Sequence, residues 1–404
     1  MRRTFSYIFL ILLFIVLLSD RGIASEKTLT PEKIREKEKK ITQNISEQVE
    51  KQIPRVKDSA LEKQLEETVA KIKPHMGRDL DYEVRVLERD DPHAFSLPSG
   101  LTYITTGMLQ FLKSEDEIAA VLTRAFVHAD LSHWLTQTSR NEKIDFTTMA
   151  QAAAATQSGK VAGGLLNSFL NRGVINFYDN ELEKETDLKA LDVLTNTGYN
   201  KVALLTFVER MRVERLKQIY VKGIGIDYQG GSNPLGTIMK AMKFLKIKSN
   251  KKKTDPVKTD MIQANTDMED RLKAILKYFS DNNIEIERKH ALNMLTIKIT
   301  ELSGSFNLSI DETEVMSTEK TDASQNIFAE FKGRLDSQLQ LEIPPYDIQV
   351  MDVLDSKALL ISGRPMLYEK DLINGMPDLL HIRGQIIKAL TDAKRDNFLT
   401  DFYE

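Results

Sequence analysis

The 404-residue chain contains no cysteine. That absence excludes disulfides, thiolate zinc sites, iron–sulfur clusters, a lipoprotein anchor and a cysteine nucleophile. Charge of one sign is equally scarce. Lys and Arg number 56 against 59 Asp and Glu, a net charge of −3, so electrostatics make no case for a nucleic-acid partner. No G-x-S-x-G elbow, Walker motif or dinucleotide fingerprint occurs. Six histidines still leave room for an imidazole metal site. The length suggests two or three domains with ample sequence for a core.

One long hydrophobic run stands out, Tyr7 to Leu18, behind Arg2 and Arg3 and ahead of the small residues Gly22-Ile23-Ala24. This pattern reads as a secretory signal peptide over residues 1–24, cleaved after Ala24. The alternative is an uncleaved anchor helix, which would bring membrane contact, although the run falls short of the roughly 20 residues a span needs. Arg2-Arg3-Thr4-Phe5 only partly matches a twin-arginine signal. The expected location is exported, in the periplasm or cell envelope of a bacterium. Lack of disulfides does not conflict with export of a large domain.

Residues 26–53 are rich in Glu and Lys and read as a solvated helix. Leu61, Leu65, Val69 and Ile72 give a second helix over 57–73. Tyr82 to Leu87 alternates like a strand, and 93–97 with 101–105 forms a hairpin about Pro98-Ser99-Gly100. Ser114 with Glu117 matches a capping box, and the helix it opens runs to about Gln137. Helical patterns follow at 145–157, 160–171, 177–197, 200–219 and 268–279. A glycine-rich loop occupies 222–236, and a lysine cluster (Lys246, Lys248, Lys251, Lys252, Lys253, Lys258) reads as a solvated loop. After residue 286 period-two alternation dominates, at 295–300, 306–310, 339–343 and 348–353, with a further strand at 359–362. This predicts a β-rich module over 286–366 and closing helices over 368–396, with no internal repeat.

His93-Ala-Phe-Ser-Leu-Pro-Ser-Gly-Leu-Thr-Tyr-Ile-Thr-Thr-Gly-Met-Leu109, followed by Ser114-Glu-Asp-Glu-Ile-Ala-Ala-Val-Leu122, resembles the hairpin and active-site helix of peptidase family M48. These are zinc metalloendopeptidases that include BepA-like periplasmic and Oma-like mitochondrial enzymes. Phe177 to Asp187, with Ala190 and Gly198-Tyr199, resembles the family's second zinc helix, and Met268 to Ile275 its late Pro-x-x-Arg helix. The resemblance covers about residues 35–282. It implies an α+β fold, a mainly helical gluzincin-type core with a small β-hairpin and sheet over 25–285, followed by the β-rich module over 286–404.

The family's chemistry uses two His at i and i+4 of HExxH as zinc ligands, with the intervening Glu polarising the zinc-bound water. A Glu of the second helix is the third ligand, and an Asp four residues on orients a first-shell His. In this chain the HExxH slot falls on Arg124-Ala125-Phe126-Val127-His128. The first ligand is replaced by Arg124 and the general base by Ala125. The resemblance leaves His128 and Glu183 as remnant ligand positions and Asp187 as their supporting carboxylate. The family's late histidine falls on Asn265, and His133 matches a downstream histidine of the same helix.

Two ligands are one fewer than catalytic zinc sites use, and the guanidinium of Arg124 cannot lose its charge. The expectation is therefore no cofactor, with zinc only if the family site survives. Buried in an apolar helix, Arg124 needs an anionic partner. Glu183 and Asp187 are the expected ones, in an ion pair that replaces zinc; the alternative is an arginine turned to solvent at a decayed site. Three functions follow. The first is a non-catalytic relative that binds extended or unfolded polypeptide, or envelope proteins, along the strand Leu101-Thr102-Tyr103-Ile104-Thr105 by strand addition. The second is an active zinc metalloendopeptidase of envelope quality control with an atypical ligand set. The third is a structural scaffold for the C-terminal module.

Overall fold

The computed structural model describes residues 31–134, 136, 178–223 and 256–396. The expected export segment, the helices at 145–157 and 160–171, most of the glycine-rich stretch and most of the lysine cluster lie outside them. The fold is α+β. It opens with α1 (Pro31–Gln52), α2 (Ser59–Ile72), the strands β1 (Glu83–Leu87), β2 (Ala94–Ser96) and β3 (Leu101–Thr105), and the short helix α3 (Thr106–Phe111). The long helices α4 (Glu115–Asp130), α5 (Asn180–Leu194), α6 (Val202–Gly223) and α7 (Pro256–Asp281) follow. Among the described residues no helix is long and apolar enough to cross a membrane.

β1, β2 and β3 form one sheet in the order β1-β3-β2. β3 pairs in parallel with β1 and antiparallel with β2, and Gly100, at φ +101°, makes the tight turn between β2 and β3. Alternate residues of these strands face opposite ways. Val86, Ala94 and Ile104 join the helical core, whereas Leu87, Leu97, Leu101 and Tyr103 pack on Val49 of α1. The charged N-terminal helix is thus less solvated than its composition suggests. It buries Glu38, Ile41 and Val49, Glu38 accepts from Arg78 at 2.6 Å, and Glu50 accepts from Tyr103 and Arg85, both at 2.7 Å.

α4 begins where the sequence placed it. Ser114 Oγ accepts from the Glu117 backbone N–H at 3.1 Å, satisfying one of the unpaired donors of the first turn. The reciprocal bond goes to the Lys113 N–H, at 2.9 Å, rather than to Ser114. Glu117 also receives Thr206 at 2.9 Å and Arg210 at 2.5 Å, which ties the start of α4 to α6. The helix ends at Asp130, earlier than the expected Gln137. Asp130 accepts from the Gly77 and Arg78 N–H groups and from Tyr82 Oη, and Ser132 takes a left-handed φ of 53°.

The apolar contacts sort into a first core spanning Leu65 to Ala291 and a second spanning Leu292 to Ala393. The short helix α8 (Arg288–Ala291) lies at the junction. Its Arg288 donates twice to Glu209 (3.0 and 2.7 Å) and once to Glu342 (2.9 Å). The second core contains β4 (Ile297–Leu302), β5 (Ser305–Ile310), β6 (Thr313–Glu319), α9 (Asp322–Gln338), β7 (Ile348–Val353), β8 (Ser356–Ile361), β9 (Arg364–Tyr368) and α10 (Leu379–Asp396).

Two expectations for this region need correction. Leu339–Ile343 is not a strand; it is a linker with a turn at Leu341–Glu342 that buries Leu339, Leu341 and Ile343 at alternate positions, so burial alone explains its period of two. Residues 322–338, expected inside the β-rich stretch, form α9, opened by a capping box of Thr321 and Ser324. The region is also internally duplicated. Each half is a three-stranded antiparallel meander closed by a helix, with registers Ile297↔Ile310 and Ile348↔Ile361. Equivalent bulges interrupt the second pairing, at Leu308/Ser309 and Leu359/Leu360. The halves interlock, since α9 packs on β4, β5 and β9 while α10 packs on β7, β8 and β6.

Gly107 fixes how β3 hands the chain to α3 and α4. A Cβ there would stand 1.9 Å from the Asp90 carbonyl oxygen, and backbone cannot yield as a side-chain tip can. Gly107→Ala should cost about 3 kcal/mol, read as a lower midpoint in urea denaturation with an unchanged slope.

Candidate functional site

The site is built where α4, α5 and α7 meet. α4 is apolar on nearly every face, and Ala119 to Asp130 are all buried. Arg124 therefore has no route to solvent and must find its partners inside the protein. α5 supplies them. Asp179 precedes its first turn, and Glu183 and Asp187, four residues apart, share the face turned to α4. Arg124, Glu183 and Asp187 are each 1 % exposed or less.

Arg124 Nε–H donates to Asp187 Oδ1 at 2.6 Å, and Nη2–H donates to Glu183 Oε2. A second guanidinium closes the set from α7. Arg271 grips Asp187 with two bonds, Nε–H to Oδ2 at 2.7 Å and Nη2–H to Oδ1 at 3.0 Å. Its Nη1 lies 3.6 Å from Glu183 Oε2. Two cations and two carboxylates thus form a buried quartet. Burial raises the Glu183 carboxyl above its ordinary value, against the pull of Arg124 and then Arg271. Arg271 is shifted upward, because Asp187 and Glu183 outweigh its desolvation.

Beside the quartet lies a histidine pair. His128 Nδ1 is 3.0 Å from His133 Nδ1, and Thr186 Oγ1 is within 3.3 Å of both rings while donating to the Leu182 carbonyl. Tyr178 stacks on His128 at 4.1 Å between centroids. Burial, and then the charge of Arg124, hold the His128 pKa well below its ordinary value, so the ring is neutral near pH 7. With His133 Nε2 turned to Glu185 at 3.3 Å, the tautomer in which His128 Nδ1–H donates to His133 leaves His128 Nε2 a bare acceptor.

Among the described residues, two buried atoms of this site have no hydrogen-bond partner, His128 Nε2 and Glu183 Oε1. They face each other at 3.8 Å. These are the remnant ligand positions named from the sequence, and they are all that remains of a donor set. Among the described residues no three His, Cys, Asp or Glu side chains converge on one point. A zinc ion would have two protein ligands instead of three and would stand beside two fixed guanidinium charges. These residues do not fit zinc.

Ala125, the position that would hold the general base, is a buried methyl group. Asn265 takes no part in the site; it accepts from Arg212 at 2.9 Å and donates to Glu269 at 2.7 Å. The reading of Leu101–Thr105 as a peptide-binding strand is corrected by the topology. β3 is the middle strand, both its edges are already paired, and all five residues are buried. Strand addition needs an edge not taken by a neighbouring strand; among the described residues β2 ends the sheet on that side, although Ala94 and Ser96 are buried. Because Leu97 N–H donates to the Leu101 carbonyl and Thr105 N–H to the His93 carbonyl, the N–H and C=O groups of Ala94 and Ser96 point away from β3.

Arg271 is the site residue that no sequence reading assigned a role. It lies on the apolar stripe of α7 with Met268, Ile275 and Phe279, all buried. A charge on such a stripe is the signal that could have found it. Arg271→Met should destabilise the protein by about 3–5 kcal/mol, since it leaves buried carboxylates undercompensated; equilibrium denaturation would measure the loss.

The fission yeast (Schizosaccharomyces pombe) mitochondrial metalloendopeptidase OMA1 is 31 % identical over 135 residues, 33 % of this chain and 38 % of that relative. The chain thus matches well under half the length of that protein. The sequence model of Peptidase family M48 matches residues 56–278, which include β1–β3, α4, α5 and the whole charge quartet, and the chain belongs to peptidase family M48.

Proposed function

We propose that this protein is an exported, non-catalytic member of its family that holds extended polypeptide, unfolded or envelope-borne, at the outer edge of β2. The observation that carries the reading is Arg124 bonded between Glu183 and Asp187, with alanine beside it at position 125. Hydrolysis of a peptide needs a polarised water and a group to move its proton. The quartet supplies neither. Its carboxylate oxygens are engaged by guanidinium groups, apart from Glu183 Oε1, and its cations cannot act as acids.

Binding makes smaller demands. An extended chain added to a strand edge gains main-chain hydrogen bonds whatever its side chains, which suits a partner recognised by its unfolded state. Ala94 and Ser96 offer two N–H and two C=O groups, and β2 packs directly on α4, so a chain bound there runs past the helix that carries Arg124. Ala94 and Ser96 are themselves buried, so binding involves opening of this edge. The hydrophobic N-terminal run supports export.

Two measurements test the reading. Wild-type protein should contain no stoichiometric zinc and should leave casein intact with or without chelator. Arg124→His with Ala125→Glu restores two His at i and i+4 opposite Glu183 and should gain one zinc per chain. Chelator-sensitive cleavage by the wild type would overturn the proposal. Separately, Ser96→Pro removes an outward N–H without breaking the β2–β3 ladder, and should weaken binding of reduced, carboxymethylated α-lactalbumin about tenfold, as one or two lost hydrogen bonds predict.

A further inference from the structure

The duplicated C-terminal region contains its own control. Each meander turns one face to the shared core and the other outward, and the two halves have equivalent registers, turns and bulges. The outward positions can therefore be compared pair by pair. On β4–β6 they carry Lys298, Thr300, Leu302, Ser305, Asn307, Ser309, Glu314 and Ser317. The equivalent positions on β7–β9 carry Gln349, Met351, Val353, Ser356, Ala358, Leu360, Pro365 and Tyr368, with Ala358 itself buried. The same backbone is built with an outer face that is polar apart from Leu302 in one half and more apolar in the other, so the fold does not demand Met351 and Leu360, where the sister sheet has Thr300 and Ser309. Met351 is 52 % exposed. At the tip of the β7–β8 hairpin Leu354 is 99 % exposed and holds a left-handed φ of 56°, where Asn, Asp or Gly is the usual choice. A fully solvated leucine in a disfavoured conformation contributes nothing to folding.

The edges of the β7–β9 sheet differ as well. β9 contains Pro365, which lacks an N–H, and a bulge beside it; both features block strand pairing. β7 has neither. Its pairs with β8 end at Val353↔Ser356 across a two-residue turn, and Ser362 N–H donates to the Asp347 carbonyl. By the alternation of an antiparallel ladder, the main-chain groups of Ile348, Val350 and Asp352 then point outward. Arg383 Nε–H bonds the Ile348 carbonyl at 2.6 Å, which fits that direction. Val350 and Asp352 offer the rest of the edge, next to Met351 and Val353 on the apolar face.

We infer that the β7 edge and the apolar outer face of β7–β9 form a second docking site, which takes an extended polypeptide segment with apolar residues at alternate positions. Main-chain bonds at Val350 and Asp352 align the segment, and its alternate side chains lie against Met351, Val353 and Leu360. Area decides against a second copy of this chain. Two strands of six residues and one of five present roughly 300 Å², well below the roughly 800 Å² per partner of a stable dimer. The surrounding charges are mixed, with Lys370 paired to Asp355 at 3.3 Å, so nothing selects an anionic surface. The site is separate from the β2 edge, and the two can be removed independently.

The probe is a fluorescein-labelled decapeptide of alternating valine and threonine, titrated onto the full-length protein by anisotropy. Met351→Thr with Leu360→Ser copies the residues of the sister sheet, which that backbone accepts, and should weaken binding at least tenfold with an unchanged melting temperature. Ser96→Pro should leave this affinity unaltered. A peptide N-methylated at alternate residues should fail to bind in one of its two registers. Equal affinity of wild type and double variant would overturn the inference, as would concentration-dependent dimerisation lost in the double variant. Should the double variant melt lower, the reciprocal graft decides: Thr300→Met with Ser309→Leu should raise the stoichiometry toward two peptides per chain, and an unchanged stoichiometry and affinity would count against the site.

Discussion

The fold of the first, helical core is governed by one electrostatic requirement, that two guanidinium groups and two carboxylates buried together must neutralise one another. Arg124, Glu183, Asp187 and Arg271 come from three helices, and none can reach water. Removing a charge from water costs several kcal/mol even after relaxation, and only close, directional bonds to an opposite charge recover it. α4, α5 and α7 are therefore held in one rotational setting. A half-turn of any of them would strand a charge in apolar surroundings. In a zinc peptidase the metal draws equivalent helices together through its ligands. Here a crosslink between the helices is made of side chains, so it is inherited with the sequence.

The same arrangement explains why the remaining donor atoms do not rebuild a metal site. His128 Nε2 and Glu183 Oε1 face each other, but the space where a third ligand would stand is filled by Arg124, a cation. A group that repels a metal now occupies the position of one that attracted it. Glu183 Oε2 and both oxygens of Asp187 are held by hydrogen bonds from the two arginines, which further lowers their value as ligands. Retention of the two carboxylates is thus accounted for by charge balance alone.

Much of this was legible in the residues. The apolar run of α4 announced a buried helix, Ser114 marked its start, and a lone arginine within it demanded a carboxylate partner. Other features were hidden for definable reasons. The charged face of α1 masked Ile41, Ile45 and Val49, whose spacing of four is that of a buried stripe. Leu339–Ile343 alternates like a strand because a linker that turns along a core can bury every second residue without joining a sheet. The duplication escaped notice because the two halves share geometry and differ in chemistry on the outward face, where sequence similarity would have to be read. Strand order is a non-local property, and nothing in Leu101–Thr105 tells that both edges of that strand are taken.

What the sequence determined by itself is the inventory: no thiolate, no His-Glu pair in α4, an arginine in that dry helix and two acids at one turn's spacing in another. Those facts follow from side-chain chemistry and helical period, which are local. Tertiary structure decided the rest. It brought a second arginine, Arg271, to the same carboxylates, set β3 in the middle of its sheet and β2 at the edge, and turned one of two equivalent sheet faces apolar side outward. Such outcomes depend on which elements pack together, and that is settled by burial and charge balance across residues far apart in the chain.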